Sequence, residues 1–226
     1  MNSMTPYSAL ALQMDCHAVN ALSSRSDVDT AMMATLDRVD TMIRGSKAFI
    51  ATFSGDPVKL VVLPEYFMTG FPMGESIAAW RDKACIAMDG PEYDRLGQIA
   101  SQHGVYLSGN AYEIDPHFSD LYFQTSFIIS DEGDVVLRYR RLISMFAPTP
   151  HDVLTKYLDI YGKEGLFPVV DTPLGRLACV GVRGDPVPGN SPRARAPRCR
   201  GFTAFIQRSR QPTTHTQEHR KVRKGL

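Results

Sequence analysis

The sequence predicts an α/β layered protein, and three observations carry this. Short apolar runs of strand length alternate with amphipathic segments of helical length. Hairpin signals join some strands, so the sheet is not purely parallel and doubly wound. No internal repeat is present, which sets solenoids and propellers aside. The expected order is β-α-β-(α)-α-β-β-β-α-β-β.

Each element has its own signal. Tyr7 to Met14 (YSALALQM) reads as a first, mostly buried strand. Residues 26–52 read as a helix: Ser26 suits the N-cap, and Asp27 and Asp29 suit the first turn. Met32, Met33, Leu36, Val39, Met42 and Ile43 recur there at helical spacing. VKLVVLPE is the second strand and runs into a loop with Gly70, Pro72 and Gly74. PEYDRLGQIASQHG is a helix that Pro91 starts and Gly104 stops. Strands over 105–114, 121–130 and 135–143 follow, with DEGD (131–134) as the turn joining the last two. A short helix starts near Pro150, and two short strands flank the turn Thr172–Gly175.

The bulk composition is that of a globular protein. The chain has 226 residues, 43% apolar and 22% charged, enough for one large domain or two small ones. No apolar run reaches the roughly 18 residues of a membrane helix. The N-terminus carries no basic residue before its short apolar stretch, unlike a signal peptide. Cys16, Cys85, Cys179 and Cys199 are far apart, which argues against a disulfide framework and a zinc site. A cytoplasmic chain with no cofactor, no metal and no membrane partner is expected.

The net charge of +1 hides an asymmetry. Residues 1–182 carry 14 Lys and Arg against 22 Asp and Glu, while residues 183–226 carry 11 against 2. That basic tail holds five prolines and nine arginines and follows neither structural period, so disorder is expected. Its RGD (183–185) is read as coincidence in a cytosolic chain, and its basic residues lack any nucleic-acid motif. His215 and His219 stand four apart but have no third ligand. His103 and His151 read as helix-end residues, and His17 and His117 as loop or strand-end residues.

One residue invites chemistry. In VVLPEYFMTGFP (61–72) an apolar strand ends on a carboxylate, Glu65, among Tyr66, Phe67 and Met68. A strand-end acid usually makes a cap or a surface pair. An acid held among apolar neighbours instead keeps a raised proton affinity, which suits a general base.

At this point the chain resembles the nitrilase, or carbon–nitrogen hydrolase, superfamily. The resemblance rests on VVLPEYFMTGFP, GVYLSGNAYE, QTSFIISDEGDVVLRYRRL and FPVVDTPLGRLACV, in that order, and covers about residues 7–182. It implies a nitrilase-type αββα sandwich, incomplete at the C-terminus here, which dimerises by stacking sheets. It implies hydrolysis of non-peptide C–N bonds, in amides or nitriles, by a Glu–Lys–Cys site. There Glu takes the thiol proton, Cys forms an acyl-enzyme, and Lys holds the charge growing on the tetrahedral intermediate.

Carried over residue by residue, the match is one in three. Glu65 stands in the base position. The family's Y-R-K run is YRR here, so Arg141 stands in the Lys position. Arg can hold an oxyanion but cannot shuttle a proton. The family's Cys lies seven residues after the glycine of its D-T-P-x-G turn; from Gly175 that position is Val182, which is no nucleophile. Cys179 is three positions early, an odd offset that faces it the other way on a strand, and it reads as a core residue. The expectation is a chain without hydrolytic activity. The alternatives are a nitrilase-like binding or scaffold subunit, and a defective gene product.

The resemblance stops abruptly, which suggests a domain over 1–182 and a foreign tail over 183–226. A reading-frame change near codon 181 is expected. Dropping one base allows GVRGDPVPGNSPRARAP to read ASEEILYPEIARA, which restores a family-like Y-P-E-I-A-R segment with Ser in the nucleophile position. The expected partners are a small amide or nitrile and a second copy of the chain through the sandwich, not nucleic acid.

Overall fold

The computed structural model describes residues 5–53, 55–144 and 147–179 in full, and residues 180 and 203–207 by their backbone. In chain order the elements are β1 (Ser8–Ala11), α1 (Arg25–Phe53), β2 (Val58–Val62), α2 (Ile77–Ala84), β3 (Ile86–Ala87) and α3 (Pro91–His103). Next come β4 (Tyr106–Ile114), β5 (Phe123–Ile129), β6 (Val135–Arg140), a 3-10 turn Pro150–Val153 that leads into α4 (Leu154–Tyr161), β7 (Val169–Thr172), β8 (Gly175–Val180) and β9 (Thr203–Gln207). A mixed α/β protein results, as the sequence predicts.

The strands form two sheets. The first has the order β1-β2-β4-β5-β6, with β3 also on β4. Its β1, β2, β3 and β4 contacts are parallel, whereas β4–β5 and β5–β6 are antiparallel hairpin pairs. The second sheet is antiparallel, β7-β8-β9.

Burial shows why the layers stack. Every residue of β5, and all of β4 but Ile114, is buried. A strand covered on both faces loses the inside–outside alternation of a surface sheet. One cover is helical: Val28, Met32, Leu36, Val39 and Ile43 of α1 and Leu96, Ile99 and Ala100 of α3 pack with Val61, Leu107, Phe127 and Ile129. The other is the second sheet: Leu174, Leu177 and Cys179 pack with Leu60, Tyr106, Ile128, Leu137 and Tyr139. Helix, sheet and sheet are therefore three layers of an αββα sandwich.

Local signals place the helices. The α1 stripe is spaced by three and four residues and ends at Ile43; Phe49 and Phe53 beyond it are exposed. The expected cap at Ser26 is corrected to Ser24. The Asp27 N–H donates to Ser24 Oγ at 3.1 Å and the Ser24 hydroxyl donates to Asp27 Oδ2 at 2.7 Å. Two serines fit the cap by type, and the reach-back of Asp27 selects the earlier one. Helix α3 starts at Pro91 and stops at a left-handed Gly104 (φ 58°), as predicted. Lys47 and Lys59 donate to the His103 and Gly104 carbonyls at that end, where the helix dipole favours cations. At Gly97 a Cβ would sit 2.6 Å from the Gly133 carbonyl, so α3 and the β5–β6 turn touch only because both residues are glycine.

The expected disorder of 183–226 lies outside the described residues, apart from Thr203–Gln207, whose backbone pairs with β8. Val182, Cys199, His215 and His219 also lie outside them. No helix among the described residues is long and apolar enough to cross a membrane.

Candidate active site

Glu65 is positioned by the end of β2. The Leu63 N–H donates to the Ser108 carbonyl at 2.8 Å, prolonging the β2–β4 pairing towards Glu65. The chain then turns sharply: Tyr66 adopts φ 59°, a left-handed conformation uncommon outside glycine. The Tyr66 N–H donates to Oδ1 of buried Asn110 on β4 at 2.9 Å. A buried side-chain amide thus holds an unfavourable backbone in place, a kind of strain that clusters at functional sites.

Arg141 follows β6, and its N–H donates to the Gln124 carbonyl at 2.9 Å, continuing the hairpin by one residue. Its Nη1 donates to Glu65 Oε1 at 3.0 Å and to Gln124 Oε1 at 3.0 Å. Gln124 closes the triangle: its Nε2 donates to the same Glu65 Oε1 at 3.1 Å. Tyr66 Oη lies 3.4 Å from Arg141 Nη1. The side chains of Glu65 and Arg141 are 16% and 12% exposed, so the pair is sheltered yet reachable.

Electrostatics keep the neighbouring hydroxyl neutral. Burial pushes the Tyr66 phenol up from its ordinary value, and the Glu65 charge adds to this against the pull of Arg141 and Gln124. Tyr66 is therefore a hydrogen-bonding group and not an anion at neutral pH. Its ring stacks on Tyr112 at 6.0 Å and tilts against Phe71 at 5.5 Å. Tyr112 also meets Trp80 and Tyr122 edge-on. One side of the Glu65 turn is an aromatic wall.

The two site residues named from sequence come together. Gln124 and Tyr66 were missed, although Gln124 carried a signal: it is a polar residue inside the apolar run LYFQTSFII. The thiols behave differently. Cys179 is 4% exposed among apolar side chains, and burial pushes its thiol up to about 12, against a smaller pull from Ser108. Burial also raises Cys85 well above its ordinary value. Neither is a thiolate at neutral pH, and the thiolate is the nucleophile. Among the described residues no group of three His, Cys, Asp or Glu side chains is placed to hold a metal.

The carbon–nitrogen hydrolase family model matches residues 18–183. The chain belongs to the carbon–nitrogen hydrolase family. It is similar to Nitrilase 2 of Arabidopsis thaliana, with 27% identity over 76% of this chain and 50% of that protein. It is also similar to the bifunctional nitrilase/nitrile hydratase NIT4B of Nicotiana tabacum, with 29% identity over 64% of this chain and 40% of that protein. Among solved structures it is similar to Nit3 of Saccharomyces cerevisiae, a nitrilase superfamily member, with TM-score 0.45 and 23% identity over 65% of this chain and 48% of that one. The chain thus spans about half the length of the curated relatives it matches. In this carbon–nitrogen hydrolase chain Glu65 and Arg141 bring a carboxylate and a fixed cation into contact.

Proposed function

We propose that this chain binds small amides at the Glu65–Arg141 pair without hydrolysing them. One observation carries the reading: Arg141 Nη1 and Gln124 Nε2 both donate to Glu65 Oε1, at 3.0 and 3.1 Å. An amide N–H has an acceptor in the carboxylate, and the amide carbonyl dipole has a fixed charge in Arg141. A nitrile offers no N–H and can use only the cation, so it binds more weakly. Acyl transfer needs a nucleophile beside the base. The position that the family resemblance assigns to it is Val182, and both buried thiols described above are protonated.

The test pairs binding with turnover. Benzamide should shift backbone resonances at Glu65 and Gln124 in the purified chain, with no release of ammonia. Glu65→Gln should weaken binding about tenfold or more, the loss of one charge-assisted contact. Ammonia release that survives Cys179→Ala and vanishes in Glu65→Gln would overturn the proposal. Self-association through the sandwich belongs to the same reading, and the exposed Phe167 and Val169 beside the second sheet would be available to it. Light scattering should give a dimer mass.

The second reading, a shifted frame, is favoured by the tail's composition. Resequencing codons 170–230 decides it. In the shifted frame the third base of the Val182 codon selects the residue, since GTC gives Ser and GTG gives Cys. An intact frame supports the binding subunit. A one-base slip with GTC or GTG at codon 182 returns a nucleophile to that position and confines the binding-only reading to this chain alone.

A further inference from the structure

A cavity of about 860 Å³ opens between the start of α1, the end of α2, β3 and the 114–119 loop. Its volume lies in the range of small-molecule sites, about 300–1,000 Å³. None of Glu65, Arg141 and Gln124 lines it. Met33, Met88, Ile114 and Phe118 give it an apolar lining.

Its charges are unevenly satisfied. Arg25 donates through Nε to Asp29 Oδ1 at 2.7 Å and through Nη1 to the Cys85 carbonyl at 2.6 Å. Arg81 is taken by Asp82 at 2.8 Å and by the Ser119 carbonyl. Asp115 is held by Arg140 at 2.6 Å. Glu92 is left over. It lines the cavity and is 3% exposed, yet among the described residues no hydrogen bond reaches its carboxylate. The nearest opposite charge, Arg25 Nη2, stands 4.0 Å from Oε1, beyond hydrogen-bond reach. Asp89, which is exposed, is one of five carboxylates in the lining, against the two arginines.

A carboxylate this sheltered, with no protein donor within hydrogen-bond reach among the described residues, keeps an open acceptor towards the cavity. We propose that the donor here is a ligand: a small primary ammonium with an apolar body, its N–H groups on Glu92 and its body against Met33, Met88 and Phe118. An anion would face two arginines already engaged. A hard divalent cation asks for six or more oxygens, and among the described residues no three acidic side chains converge to hold one.

Benzylammonium chloride is the probe and benzyl alcohol its neutral isostere. Titration into the 226-residue chain at pH 7 should give saturable benzylammonium binding, with methyl shifts at Met33 and Met88. Benzyl alcohol should bind about tenfold or more weakly, the cost of one charge-assisted contact. Glu92→Gln should lose at least the same factor while keeping its circular dichroism spectrum. Ala87→Phe, which fills the cavity from β3, should abolish binding of both probes. If Glu92→Gln fails to fold, the two probes on the unaltered chain and Ala87→Phe still decide. Equal affinity for amine and alcohol, unmoved Met33 and Met88 methyls, or no saturation in the millimolar range overturns the proposal.

Discussion

Arg140 and Arg141 are adjacent in sequence and each pairs with a glutamate, yet the two pairs are built for different ends. The strand pleat sends neighbouring side chains to opposite faces. Arg140 reaches Asp115 Oδ2 at 2.6 Å and Glu113 Oε1 at 3.4 Å, with side chains 3%, 0% and 0% exposed. Its guanidinium lies 4.7 Å from the Phe123 ring centroid and 4.6 Å from that of Tyr161. Arg138 supplies a second cation to Glu113, Tyr93 and Thr125 donate hydroxyls to it, and Tyr161 donates to Asp115. Two arginines against two carboxylates make a neutral, closed network. Arg141 and Glu65 hold a simpler contact at the mouth of the sheet, partly open to solvent. The Glu113 and Asp115 carboxylates are shut off from solvent, whereas the side chains of Glu65 and Arg141 are 16% and 12% exposed.

The sharpest break of this comparison is Arg140→Met. It strands Asp115 and part of Glu113 as buried charges, and removing one partner of a buried pair costs about 3–5 kcal/mol. Arg141→Met should cost about 1 kcal/mol, because Glu65 keeps Gln124 and some solvent. Urea midpoints of the two variants measure the difference. Equal losses would mean that the Glu65 pair is as structural as the Glu113 cluster.

A smaller effect should appear in acid. Burial alone would raise the Asp115 carboxyl, but hydrogen bonds from Tyr161 and the His117 N–H, with the Arg140 charge, hold it below its ordinary 3.8. Asp40 behaves alike: burial raises it, while His103 and Arg95 outweigh that and lower it. A carboxyl depressed in the native state binds fewer protons there than in the unfolded chain. Its contribution is complete above about pH 4, the unfolded value, and is lost as pH falls through the native value. Stability should therefore fall below pH 4, and Asp115→Asn should flatten that slope. A slope unchanged by Asp115→Asn would show that this cluster carries little of the acid sensitivity.

Much of this contrast was legible in the sequence, and the rest was not, for physical reasons. The order of elements follows from hydrophobic period and punctuation by Pro and Gly, which are local. Glu65 stood out because an acid ends an apolar strand, and YRR singled out Arg141 only through the family resemblance. The Gln124 bridge is tertiary: it depends on β5–β6 register, which places the Gln124 carbonyl against the Arg141 N–H. Glu113, Asp115 and Arg140 carry no local signal in the sequence, because burial of a charge depends on what the rest of the chain stacks above it. The same holds for Glu92, which lies in the first turn of α3, where a negative charge is ordinarily favourable.

The smallest expected effect tests the nucleophile argument at its weakest point, Cys179. Its thiol sits among Leu60, Tyr106, Ile128 and Leu177, between the two sheets. With burial pushing it up to about 12 from 9.0, its thiolate fraction at pH 8 is about 1,000-fold below that of an ordinary thiol. Iodoacetamide followed by peptide mapping should label half-buried Cys16 first and Cys179 only after urea unfolding. A thiol raised in the native state retains its proton longer there, so its stabilising contribution is present below pH 9 and is lost as pH rises towards 12. Cys179→Ala should cost only about 1 kcal/mol, the loss of one small buried apolar group. It should leave benzamide binding unchanged. Fast labelling of Cys179 in the folded chain, or loss of benzamide binding in Cys179→Ala, would place a reactive thiol beside Glu65 after all and erase the distinction between the open pair and the closed one.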